Sequence, residues 1–277
     1  MTDDKRQYLF IIRHGDRWDY STPEWKSLST SRTGDSPLST LGHQQAQEVG
    51  KFLDHWLVEK QLNDVMWMSS PFLRCLQTSD DALNAMRTFS NAPSLPILPE
   101  YSIFEWDGNG GAWHKDLPAL IERKHYFPRL DLNYETFFVP ALPEPRSEFF
   151  ARCQRSVDCL HRRFPHKPGQ VLVAVTHAAG CIALAKTLTK LTLQDITPAG
   201  PCSIFGFSRE SDTSVWTLDP HDKPGGLNGY TDHLSNMGSA TRPWNNFGNG
   251  TQKFYTGPPT SRFAPEEEAI ERNGGEK

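Results

Sequence analysis

The chain has 277 residues, 37% hydrophobic and 22% charged, enough for one or two packed domains. Its formal net charge is −4, which excludes bulk electrostatic binding to nucleic acid or an anionic membrane while leaving room for a local basic pocket. No apolar run reaches the roughly 18 residues of a membrane-spanning helix.

The first residues, Met-Thr-Asp-Asp-Lys-Arg, lead straight into an apolar run and do not form a signal peptide. Five cysteines, an odd number with no C-x-x-C spacing, suit reduced thiols. A cytoplasmic protein is the expectation. Tyr8-Leu9-Phe10-Ile11-Ile12 reads as a buried strand that ends at Arg13-His14-Gly15. Ser39 caps a helix to about Glu59, with Val49, Phe52, Leu53, Trp56 and Leu57 at helical spacing. Asp64 to Ser69 is a second strand, and Pro71 opens a helix through Leu76, Leu83 and Met86. Residues 101–145 are rich in Pro and aromatics and read as an insertion over a site. An amphipathic helix over 147–164 stops at Pro165, and Val171 to Thr176 is a strand with His177 at its carboxyl end. Ala179 to Leu191 is helical, and Ile204–Phe207 with Ser214–Leu218 suggests a hairpin. Strands alternating with helices imply a three-layer α/β/α sandwich around a mostly parallel sheet. One domain spans residues 1–219. After it, Gly and Pro become about twice as frequent, so 220–277 reads as an irregular tail pinned by Tyr230, Trp244, Phe247, Phe254 and Tyr255.

In open α/β sheets, ligands collect at the carboxyl ends of strands. Three such ends carry groups unusual in a core: Arg13-His14, Ser69-Ser70 with Arg74 just beyond, and His177. Guanidinium forks suit phosphate, and a neutral imidazole attacks phosphorus. The residues alone thus point to an anion pocket for phosphate with histidine at its centre. Taken singly, His177 reads as a satisfied polar residue and Arg74 as a surface ion-pair partner. There is no H-E-x-x-H, no Cys/His cluster and no glycine-rich nucleotide loop, so neither metal nor cofactor is expected.

Four segments then resemble, in order, the histidine phosphatase (phosphoglycerate mutase-like) superfamily. They are Arg13-His14-Gly15, Pro37-Leu38-Ser39-Thr40-Leu41-Gly42, Ser69-Ser70-Pro71-Phe72-Leu73-Arg74-Cys75-Leu76-Gln77-Thr78 and Val175-Thr176-His177-Ala178-Ala179-Gly180. Arg13 to Asp19 and Pro99 to Trp106 further resemble the suppressor-of-T-cell-receptor-signalling (TULA) phosphatase domains and their ecdysteroid-phosphate phosphatase relatives. The segment Asp107-Gly108-Asn109-Gly110-Gly111 departs from that branch. No SH3 or ubiquitin-binding segment precedes the motifs, so an adaptor role is not expected.

The resemblance implies a phosphomonoester hydrolase, metal-independent, working through a phosphohistidine on His14. It implies Arg13, Arg74 and His177 on the phosphoryl oxygens, Arg17 as a further clamp or else a lip residue paired with Asp19 or Asp16, and Glu105 as proton donor, with Asp107 or Glu100 as its alternatives. Asp16 is expected to be structural, holding a neighbouring Arg, and Trp18, Trp25, Trp106 and Trp113 to form an apolar rim or ordinary loop packing. The expected partner is a phosphorylated small molecule or phosphoprotein. Two other functions stay open: a phosphoglycerate mutase or sugar bisphosphatase, although Asp16-Arg17-Trp18-Asp19 replaces the mutase Glu-Ser-x-x-Asn, and a non-catalytic binding module that retains the fold.

Overall fold

Alternation along three strands sets the layers. In β1 (Gln7–Arg13), Tyr8, Phe10 and Ile12 face one side of the sheet and Leu9 and Ile11 the other, and every residue is buried. β2 (Asp64–Ser69) and β4 (Gln170–Thr176) divide in the same way, Trp67 and Val173 to the first side, Met68 and Leu172 to the second. After the single turn α1 (Trp18–Ser21), the first side is covered by α2 (Thr40–Glu59) and α3 (Leu73–Ala85), the second by α5 (Arg146–Arg163) and α6 (Ala178–Thr189). The result is an α/β/α sandwich. The computed structural model describes residues 5–21, 34–107, 117–218, 226–238, 243, 244 and 247.

The sheet order is β3-β2-β4-β1-β5-β6, where β3 is Ile97–Pro99, β5 Ile204–Arg209 and β6 Thr217–Leu218. The run from β3 to β1 is parallel, and β5 turns antiparallel against β1. Register places Arg13 opposite Thr176 and Ser69 opposite Val175. Three strand ends, and the residues that follow them, therefore lie side by side. No helix among the described residues is long and apolar enough to cross a membrane.

Several elements differ from the sequence reading. Helix α3 starts at Leu73, because the Leu73 N–H donates to the Asp35 carboxylate and Phe72 stays extended as N-cap. The expected hairpin keeps only two residues in its second strand. Within the tail, β7 (Asn228–Tyr230) pairs with β5 at Ile204 and Phe205, on the edge that β6 uses further along, so this part is ordered sheet. Trp244 pairs through its backbone with Ala199, and Phe247 is buried against Trp106 and Phe150. Phe254 and Tyr255 lie outside the described residues. Just before the 101–145 insertion, Glu100 is wholly buried and accepts from Ser102 N, Tyr134 Oη, Thr136 Oγ1 and Phe137 N, which ties the start of the segment to residues 134–137. The insertion's short helix α4 (Leu120–Tyr126) carries Arg123, which pairs with Asp35.

Candidate active site

The β1 end is shaped by glycine. A Cβ on Gly15 would stand 2.6 Å from the Gly42 carbonyl oxygen, and one on Gly42 would stand 2.2 Å from that of Asp16. Only two hydrogens in place of side chains let the start of α2 touch the turn after His14. Ser39 caps α2 on Gly42 N and donates to the Asp16 carboxylate, to which Ser21 also donates. Asp16 is thus structural, but its described hydroxyl partners are serines rather than the expected arginine.

His14 N–H donates to Thr176 O at 2.9 Å, and Ser70 N–H to Val175 O at 2.9 Å, extending the parallel ladder past the strands. His177 stands between them. Its ring lies 5.4 Å from the His14 ring, centroid to centroid, with the planes at 66°. His14 Nδ1 is 2.8 Å from Gly15 O, so Nδ1–H donates and Nε2 keeps its lone pair. Burial, then the charges of Arg74 and Arg13, push the His14 pKa well below its usual range, so the ring is neutral at pH 7.

Arg74 projects from the first turn of α3, one fork nitrogen held by Gly34 O at 3.0 Å and its Cζ 4.6 Å from the centre of the Phe72 ring. Its other nitrogen, Nη2, is 3.0 Å from His177 Nδ1 and 3.5 Å from Glu105 Oε2. A guanidinium only donates, so His177 Nδ1 accepts and its Nε2–H points to Ser70 Oγ at 3.0 Å. Burial lowers the His177 pKa to about 4 against the opposing pull of Glu105. Arg13 is buried, with Nη1 donating to Ala199 O at 2.8 Å.

Glu105 is the carboxylate in this cluster, Oε2 3.3 Å from His177 Nδ1 and Oε1 accepting from Trp106 N at 3.1 Å. Burial pushes its carboxyl up, but His177, Arg74 and Arg17 pull harder in the other direction and set it at about 2. Neither alternative fills its place. Glu100 holds the insertion, and the fully buried Asp107 lies within electrostatic reach of Glu144. The structure therefore brings Arg13, His14, Arg74, Glu105 and His177 together. Arg17 stands at the lip: its guanidinium makes a bidentate pair with Asp19 at 2.9 and 2.7 Å and lies 4.6 Å from the Tyr20 ring centre. It remains close enough to influence His14, Arg74 and Glu105 electrostatically.

Of the expected rim, Trp18 is exposed, whereas Trp106 is buried against Phe149 and Trp244. Trp25 and Trp113 lie outside the described residues. Sequence reasoning did not assign Ser70 to His177, although Ser70 sat inside a quoted motif. It also missed Thr78, whose hydroxyl accepts from Gly15 N at 3.1 Å and donates to Arg74 O at 2.7 Å. Ligand atoms of His14, Glu105 and His177 all lie within 4.8 Å of one another, the span of a metal site. The Arg74 guanidinium, however, lies against the same His177 and Glu105 atoms, and a second buried guanidinium, Arg13, adds its charge. This field favours an anion over a dication.

Two imidazoles among buried guanidiniums at the carboxyl ends of a mostly parallel sheet form a pocket suited to an anion. The chain belongs to the histidine phosphatase superfamily (branch 1), whose model matches residues 9–218. It is 26% identical to the ecdysteroid-phosphate phosphatase of Drosophila melanogaster over 69% of this chain and 27% of that protein. It is also 26% identical to the Bombyx mori enzyme of the same name, over 71% of this chain and 33% of that protein. The chain thus spans a third or less of these relatives' length. A third relative, the 55 kDa subunit of transcription factor tau of Saccharomyces cerevisiae, is 26% identical over 65% of this chain and 40% of that protein. The crystal structure of the Bombyx mori ecdysone phosphate phosphatase with tungstate shares the fold. Its TM-score is 0.57 at 22% identity, over 83% of this chain and 98% of that one.

Proposed function

We propose that the protein is a metal-independent phosphomonoester hydrolase that passes its phosphoryl group through His14. The observation that carries this reading is the neutral His14 ring, fixed by its Nδ1–H on Gly15 O, with buried guanidiniums beside it.

His14 Nε2 attacks phosphorus in line, forming a P–N bond as the P–O bond to the alcohol breaks. Arg13, Arg74 and His177 hold the non-bridging oxygens and stabilise the charge that builds on them, and Arg17 joins them when substrate draws it from Asp19. Glu105 gives a proton to the departing oxygen. It is ionised in the empty site, but a bound phosphate engages Arg74 and His177 and adds negative charge, which raises the Glu105 pKa. A substrate bound as its monoanion supplies the proton. In the second step Glu105 takes a proton from water, the water oxygen attacks phosphorus, the P–N bond breaks and inorganic phosphate leaves.

The substrate is a phosphorylated small molecule or phosphoprotein, and five free thiols fit a cytoplasmic setting. The tau subunit shows that a relative can serve in a transcription factor, so the reading rests on this site and not on kinship alone. The test is turnover of p-nitrophenyl phosphate in excess EDTA, blocked by vanadate and abolished in His14→Ala. Activity lost in EDTA and restored by a divalent metal contradicts metal independence. No turnover above the His14→Ala control, with a partner protein still bound by a His14→Ala/His177→Ala variant, supports the binding module. Phosphoryl transfer to 3-phosphoglycerate in place of hydrolysis supports a mutase.

A further inference from the structure

Glu105 sits on an irregular stretch with no strand or helix of its own to fix it. What holds it comes from α5, against which the neighbouring Ile103 and Trp106 pack. Arg152, in the middle of α5, is buried, and its fork is spent on one segment and one carboxylate. Nη1 donates to Ser102 O at 2.8 Å and Phe104 O at 3.1 Å, and Nη2 reaches the carbonyl of Glu105 itself at 3.5 Å. Nε donates to both oxygens of Glu144, at 2.9 and 3.0 Å, and Nη2 also donates to Glu144. Glu144 is buried in turn, and its backbone oxygen accepts from the Trp106 indole at 3.3 Å. The carbonyl left out of this fork, Ile103 O, accepts from Thr176 Oγ1 at 2.8 Å, one residue before His177.

From this geometry we propose that Arg152, aimed by Glu144, is a positioning residue that sets the Glu105 carboxylate against the leaving oxygen. The proposal rests on the reading of Glu105 as proton donor. A planar fork with donors on three nitrogens can grip three carbonyls and a carboxylate together, whereas an ammonium is a single point. Breaking the grip lets the segment relax by fractions of an ångström, which costs proton transfer without emptying the anion pocket. Arg152 and Glu144 touch neither His14, Arg13, Arg74 nor His177 in any contact described above.

The experiment compares kcat/KM for phenyl phosphate, whose alcohol must be protonated as it leaves, with kcat/KM for 2,4-dinitrophenyl phosphate, whose alcohol leaves unaided. Both values report formation of the phosphoenzyme only. In Arg152→Lys the phenyl phosphate value falls by about 30-fold or more, a part of the roughly 100- to 10,000-fold that general acid catalysis supplies, and the dinitrophenyl value by less than about 3-fold. Vanadate inhibition is unchanged, which reports an intact pocket. In a Glu105→Gln background the same substitution adds little, because the group being positioned is already gone. Equal losses on both substrates, or a full further loss in the Glu105→Gln background, make Arg152 merely structural and overturn the proposal. Glu144→Gln, which keeps the shape of the partner, is read by the same comparison should Arg152→Lys not fold. A wild-type protein inert to both substrates overturns the phosphatase reading itself, a pattern unlike any of these.

Discussion

The tautomer of His14 decides what the cluster does. Nδ1–H on Gly15 O leaves Nε2, the nitrogen proposed to attack, with its lone pair, and burial among guanidiniums keeps a second proton off the ring. A histidine of ordinary pKa, about 6.5, would lose its nucleophilic form below neutral pH. Here the pKa is depressed, so the neutral form persists into acid, while the need for a proton on Glu105 lowers activity in alkali. The expected profile of kcat/KM for p-nitrophenyl phosphate rises steadily from pH 8 to pH 5, because the monoanion that supplies the proton gains population as the pH falls. A fall below neutrality with an apparent pKa near 6.5 contradicts the described environment of His14. His14, His177 and Arg74 were legible in the sequence because each follows a strand end within a recognisable run. The Asp19 partner of Arg17 was legible only as an alternative. Arg152 was not legible, because most of its acceptors are backbone carbonyls about 50 positions away, and backbone leaves no mark in side-chain patterning.

Among the elements, the contact between α2 and the β1 turn is the tightest link between fold and site. Gly42→Ala drives a Cβ to 2.2 Å from Asp16 O, and Gly50→Ala drives one to 2.1 Å from Ala82 O, between α2 and α3. Both clash with backbone, so each costs about 1–3 kcal/mol. Only the first moves the turn carrying His14. Thermal melts are expected to show comparable losses, with kcat reduced at least about tenfold in Gly42→Ala and near wild type in Gly50→Ala. Equal kcat values in the two variants contradict the claim that this contact sets His14. The long strands and helices were legible from periodicity. β3 and β7 were not, since three residues offer too little pattern and Pro99 and Gly229 argue locally against strand. The start of α3 depends on Asp35, a carboxylate 38 positions away.

For the molecule as a whole, burying neutral histidines couples stability to pH. His14 and His177 have folded pKa values below the unfolded value, the latter at about 4, so the unfolded chain takes up protons first as pH falls. Their contribution is complete above about pH 6.5 and is lost as the pH falls, that of His177 progressively down to about pH 4. Glu105, also depressed, adds a further loss from its ordinary value of 4.5 to about 2. Between pH 7 and pH 5 the melting temperature is expected to drop by on the order of 5 °C per buried imidazole, and His177→Asn flattens the slope. A melting temperature constant over that interval contradicts the burial of neutral rings. The three-layer architecture was legible because strand and helix signals alternate. The seat of the tail was not: β7, Trp244 and Phe247 dock through backbone pairing and aromatic packing on partners far back in the chain.

The covalent step is the central claim, and trapping it tests that claim most directly. With phosphorus-32-labelled substrate and rapid quenching in denaturant, the account predicts label on the peptide containing His14. The label should be stable in alkali, lost in acid and absent from His14→Ala. Steady turnover with no label on that peptide, or label on another residue, contradicts it.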